Sequence, residues 1–279
     1  MTSNNPLRQY FRQPAIYIKL PSQGRFYPEN TLSMPPTGEL PVYPMTAIDE
    51  ITYRTPDALF NGQATVNVIQ SCCPDIKNAW FTPAMDVDTL LVAIRIASYG
   101  HDMDFGTKCP KCGNESEQVI DLRSVLDHIG VGNYSEGLQS GDMEIFFKPM
   151  SYKNLSDNNQ LQFESQKMLQ VLPDTNVSEA EKMSLLGVAL KKITDITVKA
   201  LSQSIAAVKT PQALVSEPEF IEELLSNCDK NLFNQIRTRI LELKEKSEMQ
   251  PLNITCPECS NQYTQPMTLD MSSFFGPAS

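Results

Sequence analysis

The chain has 279 residues, 41% hydrophobic and 20% charged, enough for one large or two ordinary domains with a sizeable core. A net charge of −10 without any Lys/Arg block argues against a nucleic-acid binder or an anionic-membrane binder. Residues 1–12 are polar and broken by Pro6, unlike a signal peptide, and the most apolar run, 90–97, contains Arg95 and is too short to span a bilayer. Synthesis in the cytoplasm is therefore expected, where seven cysteines favour thiols and metal over disulfides.

Prolines crowd the first part of the chain. Residues 16–20 (Ile-Tyr-Ile-Lys-Leu) read as a short strand. In the following Pro21–Pro28 stretch Gly24 supplies a positive φ for a tight turn. Residues 40–44 are extended, and Pro41 and Pro44 limit them to an edge strand or a loop. Thr46 with Asp49 is an acidic variant of a capping box, and Thr55-Pro56 repeats a helix start that Asn61-Gly62 ends. Residues 65–72 form a further helix before Pro74. Residues 86–99 form an amphipathic helix through Leu90, Leu91, Ala93, Ile94 and Ala97, ended by Gly100.

Strands are predicted at 103–107, 117–122 and 143–147. The chain then turns helical. One helix covers 155–172 and stops at Pro173. Ser178 and Glu181 form a capping box, with Val177 in the staple position. The helix they open carries Leu186, Leu190, Ile193, Thr197, Ala200, Leu201, Ile205 and Val208, and reaches Pro211. Another helix starts at Ser216-Glu217-Pro218, with Ile221, Leu224, Leu225 and Cys228 on one face. After a break near Asp229 the last helix runs through Leu232, Ile236, Ile240 and Leu243, and a short extended tail ends in Phe274-Phe275.

Two matching knuckles stand out, Cys109-Pro110-Lys111-Cys112 and Cys256-Pro257-Glu258-Cys259. Two thiolates two residues apart on a tight turn make a two-toothed clamp, and two clamps supply a tetrahedral Zn²⁺ site. Cys109, Cys112, Cys256 and Cys259 are thus the metal-ligand candidates for a structural, four-thiolate Zn²⁺; Fe²⁺ satisfies the same spacing. Four thiolates leave no open coordination position, so hydrolytic chemistry is not implied. His101 and His128 lie near the first knuckle and read as ordinary polar side chains. A shared metal would make the helical part an insertion between the knuckles.

Signals for catalysis are weak. Neither histidine sits in a triad pattern, and there is no phosphate loop and no HExxH. Asp86, Asp88, Glu179 and Glu181 lie where helix starts favour negative charge. Of Cys72 and Cys73, one is expected to be buried and the other partly exposed. The aromatics Tyr10, Phe11, Tyr17, Phe26, Tyr27 and Tyr43, with the terminal Phe274 and Phe275, either pack on the helical part or anchor a protein partner.

The turn Leu20-Pro21-Ser22-Gln23-Gly24-Arg25-Phe26-Tyr27-Pro28 leads to Pro44-Met45-Thr46-Ala47-Ile48-Asp49-Glu50 and then to Pro56-Asp57-Ala58-Leu59-Phe60-Asn61-Gly62. Further on come the two knuckles and the ending Leu269-Asp270-Met271-Ser272-Ser273-Phe274-Phe275. Together these resemble the T4-type bacteriophage baseplate protein family, whose members are hub components or hub assembly factors of contractile tails. The resemblance implies a non-enzymatic structural or assembly role in the baseplate hub, a virion location in the tail, and other hub or wedge subunits as partners. It implies neither nucleic acid, membrane nor small-molecule substrate. A transient hub chaperone absent from the finished virion is the alternative. A zinc-ribbon adaptor for nucleic acid or transcription machinery is the second.

The expected fold is α+β and predominantly helical. It comprises an extended arm over 1–45 with short strands, a small helical region over 46–100, and the first knuckle with a β element over 101–150. A helical domain over 151–250 follows, then the second knuckle and tail over 251–279.

Overall fold

The computed structural model describes residues 5–53, 62–170, 179–266 and 274–275. Among these, eight α-helices and four small antiparallel sheets give a mixed α and β protein. No described helix is long and apolar enough to cross a membrane. The Thr55-Pro56 helix start, the Asn61 stop, Pro173, the Ser178 box with Val177, and residues 269–273 lie outside the described residues. Internal contacts divide the chain into two units: Met1–Ala79, Asp86–Gly130 and Glu248–Ser279 form one, and Trp80–Met85 with Val131–Ser247 the other.

In the first unit, strands β1 (Ile16–Ile18) and β2 (Leu40–Val42) pair antiparallel, Ile16 opposite Val42 and Ile18 opposite Leu40. A two-stranded ribbon leaves outer edges on which Pro41 need not donate, and Ile18, Leu20, Leu40 and Val42 are buried beneath it. Between the strands the chain turns at Gly24, with φ +77°. Helix α1 (Ala47–Tyr53) opens on the expected reciprocal cap. The Thr46 N–H donates to Asp49 Oδ2 at 2.8 Å, and the Asp49 N–H donates to Thr46 Oγ1 at 3.2 Å. Helix α2 (Gln63–Cys72) follows.

Helix α3 (Ala84–Tyr99) ends at Gly100, φ +89°. It differs from the expected amphipathic helix. Val87, Leu90, Leu91, Val92, Ala93 and Ile94 are all buried, and so are the polar Asp86, Thr89 and Arg95. A helix apolar on most sides is a central core element rather than a surface one. Strands β3 (Asp102–Lys108) and β4 (Glu115–Asp121), seven residues each, then form a hairpin around the first knuckle. Leu122 is not its last strand residue but starts a short helix, α4 (Leu122–Asp127), because the Asp121 carboxylate caps it through the Arg123 N–H at 2.9 Å.

The second unit holds a sheet of order β5-β6-β7-β8, made of Leu138–Ser140, Met143–Phe147, Ile205–Lys209 and Leu214–Val215. Its helices are α5 (Tyr152–Gln170), α6 (Glu179–Gln203), α7 (Pro218–Asn227) and α8 (Lys230–Glu245). Asp229 caps α8 by accepting from the Asn231 and Leu232 N–H groups at 2.7 and 3.0 Å. Ile145, Phe147, Leu201, Ile221, Leu225 and Ile236 belong to the core between sheet and helices.

Ile205 and Val208 correct the sequence reading: they are not the end of the long helix but the buried residues of β7. Phe147 faces Ile205 while Phe146 faces Ala207, so β7 carries one extra residue at this point. A bulge of this kind lets two residues three apart point to one side. The sequence spacing therefore imitates a helix. Of the apolar residues along the long helix, Leu190 and Ile193 lie at the surface, while Ala189 is buried.

Candidate metal centre and N-terminal arm

The second knuckle proves to be a hairpin as well, β9 (Leu252–Thr255) with β10 (Gln262–Gln265). The two knuckles share one local design. In the first, the Cys109 N–H donates to the Asn114 carbonyl and the Gly113 N–H to the Cys109 carbonyl, each at 2.9 Å. In the second, the Cys256 N–H donates to the Asn261 carbonyl and the Ser260 N–H to the Cys256 carbonyl, again at 2.9 Å. The closing residue takes a positive φ in both, +73° at Gly113 and +54° at Ser260. Pro110 and Pro257 preset the turn by their fixed φ.

All four sulfurs lie within 4.8 Å of one another. Cys109 Sγ is 3.7 Å from Cys259 Sγ, and Cys112 Sγ is 3.6 Å from Cys256 Sγ. These separations are far from a disulfide bond of about 2.05 Å. They match the edge of about 3.8 Å that four Zn–S bonds of about 2.3 Å generate in a tetrahedron. The residues thus fit a four-thiolate ion. The Cys112 backbone N–H outweighs the cost of burial and, with that of Lys111, draws the Cys109 thiol down to about 6. The Asn261 amide lies 3.9 Å from Cys109 Sγ, a contact between the knuckles behind the ligands. Neither histidine joins the cluster among the described residues. His101 lies 3.6 Å from Asp102, and His128 Nδ1 is 2.6 Å from the Ser124 carbonyl.

Two anchors hold the N-terminal arm. Arg12 forks into the α1–α2 region: one nitrogen donates to the Pro44 carbonyl and to Asp49 at 3.3 Å, the other to Ser71 O and Oγ, each at 2.8 Å. Its guanidinium also stands 5.9 Å from the Tyr43 ring centre. The second anchor is Asp86, fully buried at the start of α3. Oδ1 accepts the Ser22 N–H at 2.8 Å, while Oδ2 accepts the hydroxyls of Ser22 and Tyr27.

A family model described as T4 bacteriophage base plate protein matches residues 44–276, which takes in α1, both knuckles and everything between them. The chain belongs to that family. Among curated proteins and among solved structures, none matches significantly.

In this T4 base plate family member the aromatic candidates separate into three groups. Tyr10, Phe11 and Tyr17 are exposed, at 77%, 55% and 62%, and Phe26 is at the boundary of exposure. Tyr27 and Tyr43 are half-buried and engaged by the anchors just described. Phe274 and Phe275 are buried, packed edge-on with centroids 5.1 Å apart, and Phe275 meets Tyr53 at 4.6 Å. This corrects their place among surface contact candidates: apolar rings in a short tail gain more by burial than by waiting for a partner.

Cys72 and Cys73 are both buried, where one was expected to be partly exposed. Burial, with Asp49 adding to it, pushes the Cys72 thiol up to about 12, and burial raises Cys73 further. Both are protonated at neutral pH and pack as small apolar groups. Sequence reasoning gave Asp86 only a helix-start role. The signal that could have found its partners was Ser22 and Tyr27, two hydroxyl residues flanking the Gly24 turn.

Proposed function

We propose that this base plate family member is a non-enzymatic structural or assembly protein of the baseplate hub of a contractile-tailed phage. On this reading, Cys109, Cys112, Cys256 and Cys259 hold one structural Zn²⁺, and Tyr10, Phe11 and Tyr17 form a contact surface for other hub or wedge subunits. The family match over residues 44–276 carries the proposal. The four-thiol cluster supports it. Filling all four coordination positions with sulfur leaves a zinc ion, which has no redox chemistry, only the task of tying chain segments together. The anchored arm supports it too. Arg12 and Asp86 order the segment in advance, so exposed rings can meet a neighbour at reduced entropic cost.

Quantitative mass spectrometry of purified phage particles and of the infected-cell lysate tests the proposal. Stoichiometric presence in the particle, lost when Tyr10, Phe11 and Tyr17 are changed together to serine, is the expected outcome. Abundance in the lysate with absence from the particle would instead make the protein a transient hub assembly factor.

A further inference from the structure

Within the second unit, residues of α6, α7 and α8 line a cleft of about 550 Å³. Organic ligands occupy clefts of about 300–1,000 Å³. Ile193, Val198, Leu225 and Phe233 form the apolar walls. The polar groups are two carboxylates, Asp195 and Glu222, and three hydroxyls, those of Thr194, Thr197 and Ser226.

The hydroxyl protons are already committed. Thr194 donates to the Leu190 carbonyl at 3.0 Å, Thr197 to that of Ile193 at 2.8 Å, and Ser226 to that of Glu222 at 2.8 Å. A hydroxyl has one proton and two lone pairs, so each of these can only accept from a ligand. The Ser202 hydroxyl lies 3.1 Å from Glu222 Oε1 but stands nearer the Lys199 carbonyl, at 2.8 Å. Neither Asp195 nor Glu222 makes an ion pair among the described residues, and no Lys, Arg or His lines the cleft. The lining side chains therefore present negative charge, acceptors and apolar wall, and no free donor.

A ligand that answers all three carries positive charge, several N–H donors and an aliphatic body. Alkylammonium and alkylguanidinium groups meet these terms, and an aromatic wall suits a cation further. A divalent metal ion does not fit. Calcium takes six to eight oxygen ligands, and among the described residues no third His, Cys, Asp or Glu gathers with Asp195 and Glu222 at ligand spacing.

We infer that this cleft binds an aliphatic cation bearing N–H donors, supplied as a free polyamine or as a lysine or arginine side chain of another protein. The inference rests on the second unit alone and does not depend on the baseplate or metal proposals.

Amide NMR of the full-length protein tests it with two diamines. Diaminobutane is compared with its twin in which methyl groups replace every N–H, at the same charge and spacing. Diaminobutane shifts the amides around Asp195 and Ser226 saturably, and the methylated twin binds about ten-fold more weakly or worse. Asp195→Asn with Glu222→Gln weakens diaminobutane by about ten-fold or more. Should the double variant fail to fold, Asp195→Asn alone, at an exposed position, carries the test. Equal binding of the twin, no saturable shift, or unchanged binding by the variant overturns the inference. So does calcium or magnesium producing the same shifts and displacing the diamine, which assigns the cleft to a metal ion. A parallel titration with N-acetyl-arginine amide separates the two sources. Tighter binding of the diamine upholds the inference with a free polyamine as ligand, and tighter binding of the arginine amide upholds it with a partner's side chain.

Discussion

The Ser22 N–H donates to Asp86 Oδ1 at 2.8 Å, joining the turn of the arm to the first turn of a helix 64 residues later. The Ser22 hydroxyl donates to the other oxygen of the same carboxylate, and both residues are fully buried. Removing one donor to a buried carboxylate costs about 1.5–3 kcal/mol. Ser22→Ala is therefore expected to lower stability by about 2 kcal/mol, and Tyr27→Phe, at a half-buried position, by less. Chemical denaturation checks both.

The same carboxylate sets a pH dependence. Burial pushes Asp86 up to about 6 despite its hydrogen bonds from Ser22 and Tyr27, and burial with Glu248 pushes Asp88 to about 6. A carboxyl whose folded value lies above its unfolded one binds its proton more tightly in the folded state. Its stabilisation is full below the unfolded value near 4 and is lost as pH rises through about 6. Between pH 7 and 5 the wild-type protein should gain about 1 kcal/mol relative to Asp86→Asn. Parallel denaturation curves of the two proteins at several pH values give this difference directly, and no change in the gap would contradict the assignment.

Arg12 is the other fastening of the arm. Its fork reaches Asp49 on α1 and Ser71 on α2 at once, and lysine cannot reproduce that geometry. Arg12→Lys should cost about 2 kcal/mol, since bonds from a charged donor are lost. Limited proteolysis should then cut the chain near residues 10–14 faster than in the wild type, while the second unit keeps its wild-type pattern.

The matched knuckles predict opposite effects at equivalent positions. Ser260 adopts φ +54° where Gly113 adopts +73°. A side chain in the left-handed region costs about 1–2 kcal/mol, partly offset by glycine's larger unfolded-state entropy. Ser260→Gly should stabilise by about 0.5 kcal/mol. Gly113→Ala, where the added Cβ meets nothing within 4 Å, should destabilise through backbone strain alone, by about 1 kcal/mol. Thermal melts of the metal-loaded variants distinguish the two signs.

If the four sulfurs hold one ion, each is needed equally. Cys109→Ser and Cys256→Ser should both abolish stoichiometric zinc by elemental analysis and lower the melting midpoint by a similar amount, about 10 °C or more. His101→Ala should leave the metal content unchanged. Full metal content after removing both Cys109 and Cys256 would refute the shared site.

Much of this was legible along the chain because its signals are local. Thr46 and Asp49 cap one helix reciprocally, Asp229 caps another, and Gly24 and Gly100 hold the positive φ their turns need. The four cysteines were legible because a clamp is a two-residue spacing repeated. Other features were not. The bulge in β7 gave Ile205 and Val208 a helical spacing, and the second knuckle's strands are too short and polar to announce themselves. Nor was it legible that Leu190 and Ile193 lie at the surface, because sequence periodicity shows that a face is apolar without showing what covers it.

By itself the sequence determined the secondary structure near its caps and turns, the ligand set of the metal candidate, and the resemblance that the family match upholds. These depend on residues a few positions apart, whose sterics and hydrogen bonds operate before the chain folds. Only the tertiary structure decided that Asp86 is an anchor rather than a helix-start charge, that Phe274 and Phe275 are core, and that Met183 and Leu190 face outward. Each of those outcomes depends on which distant segment excludes water from a side chain, and burial is a property of the packed chain, not of any stretch within it.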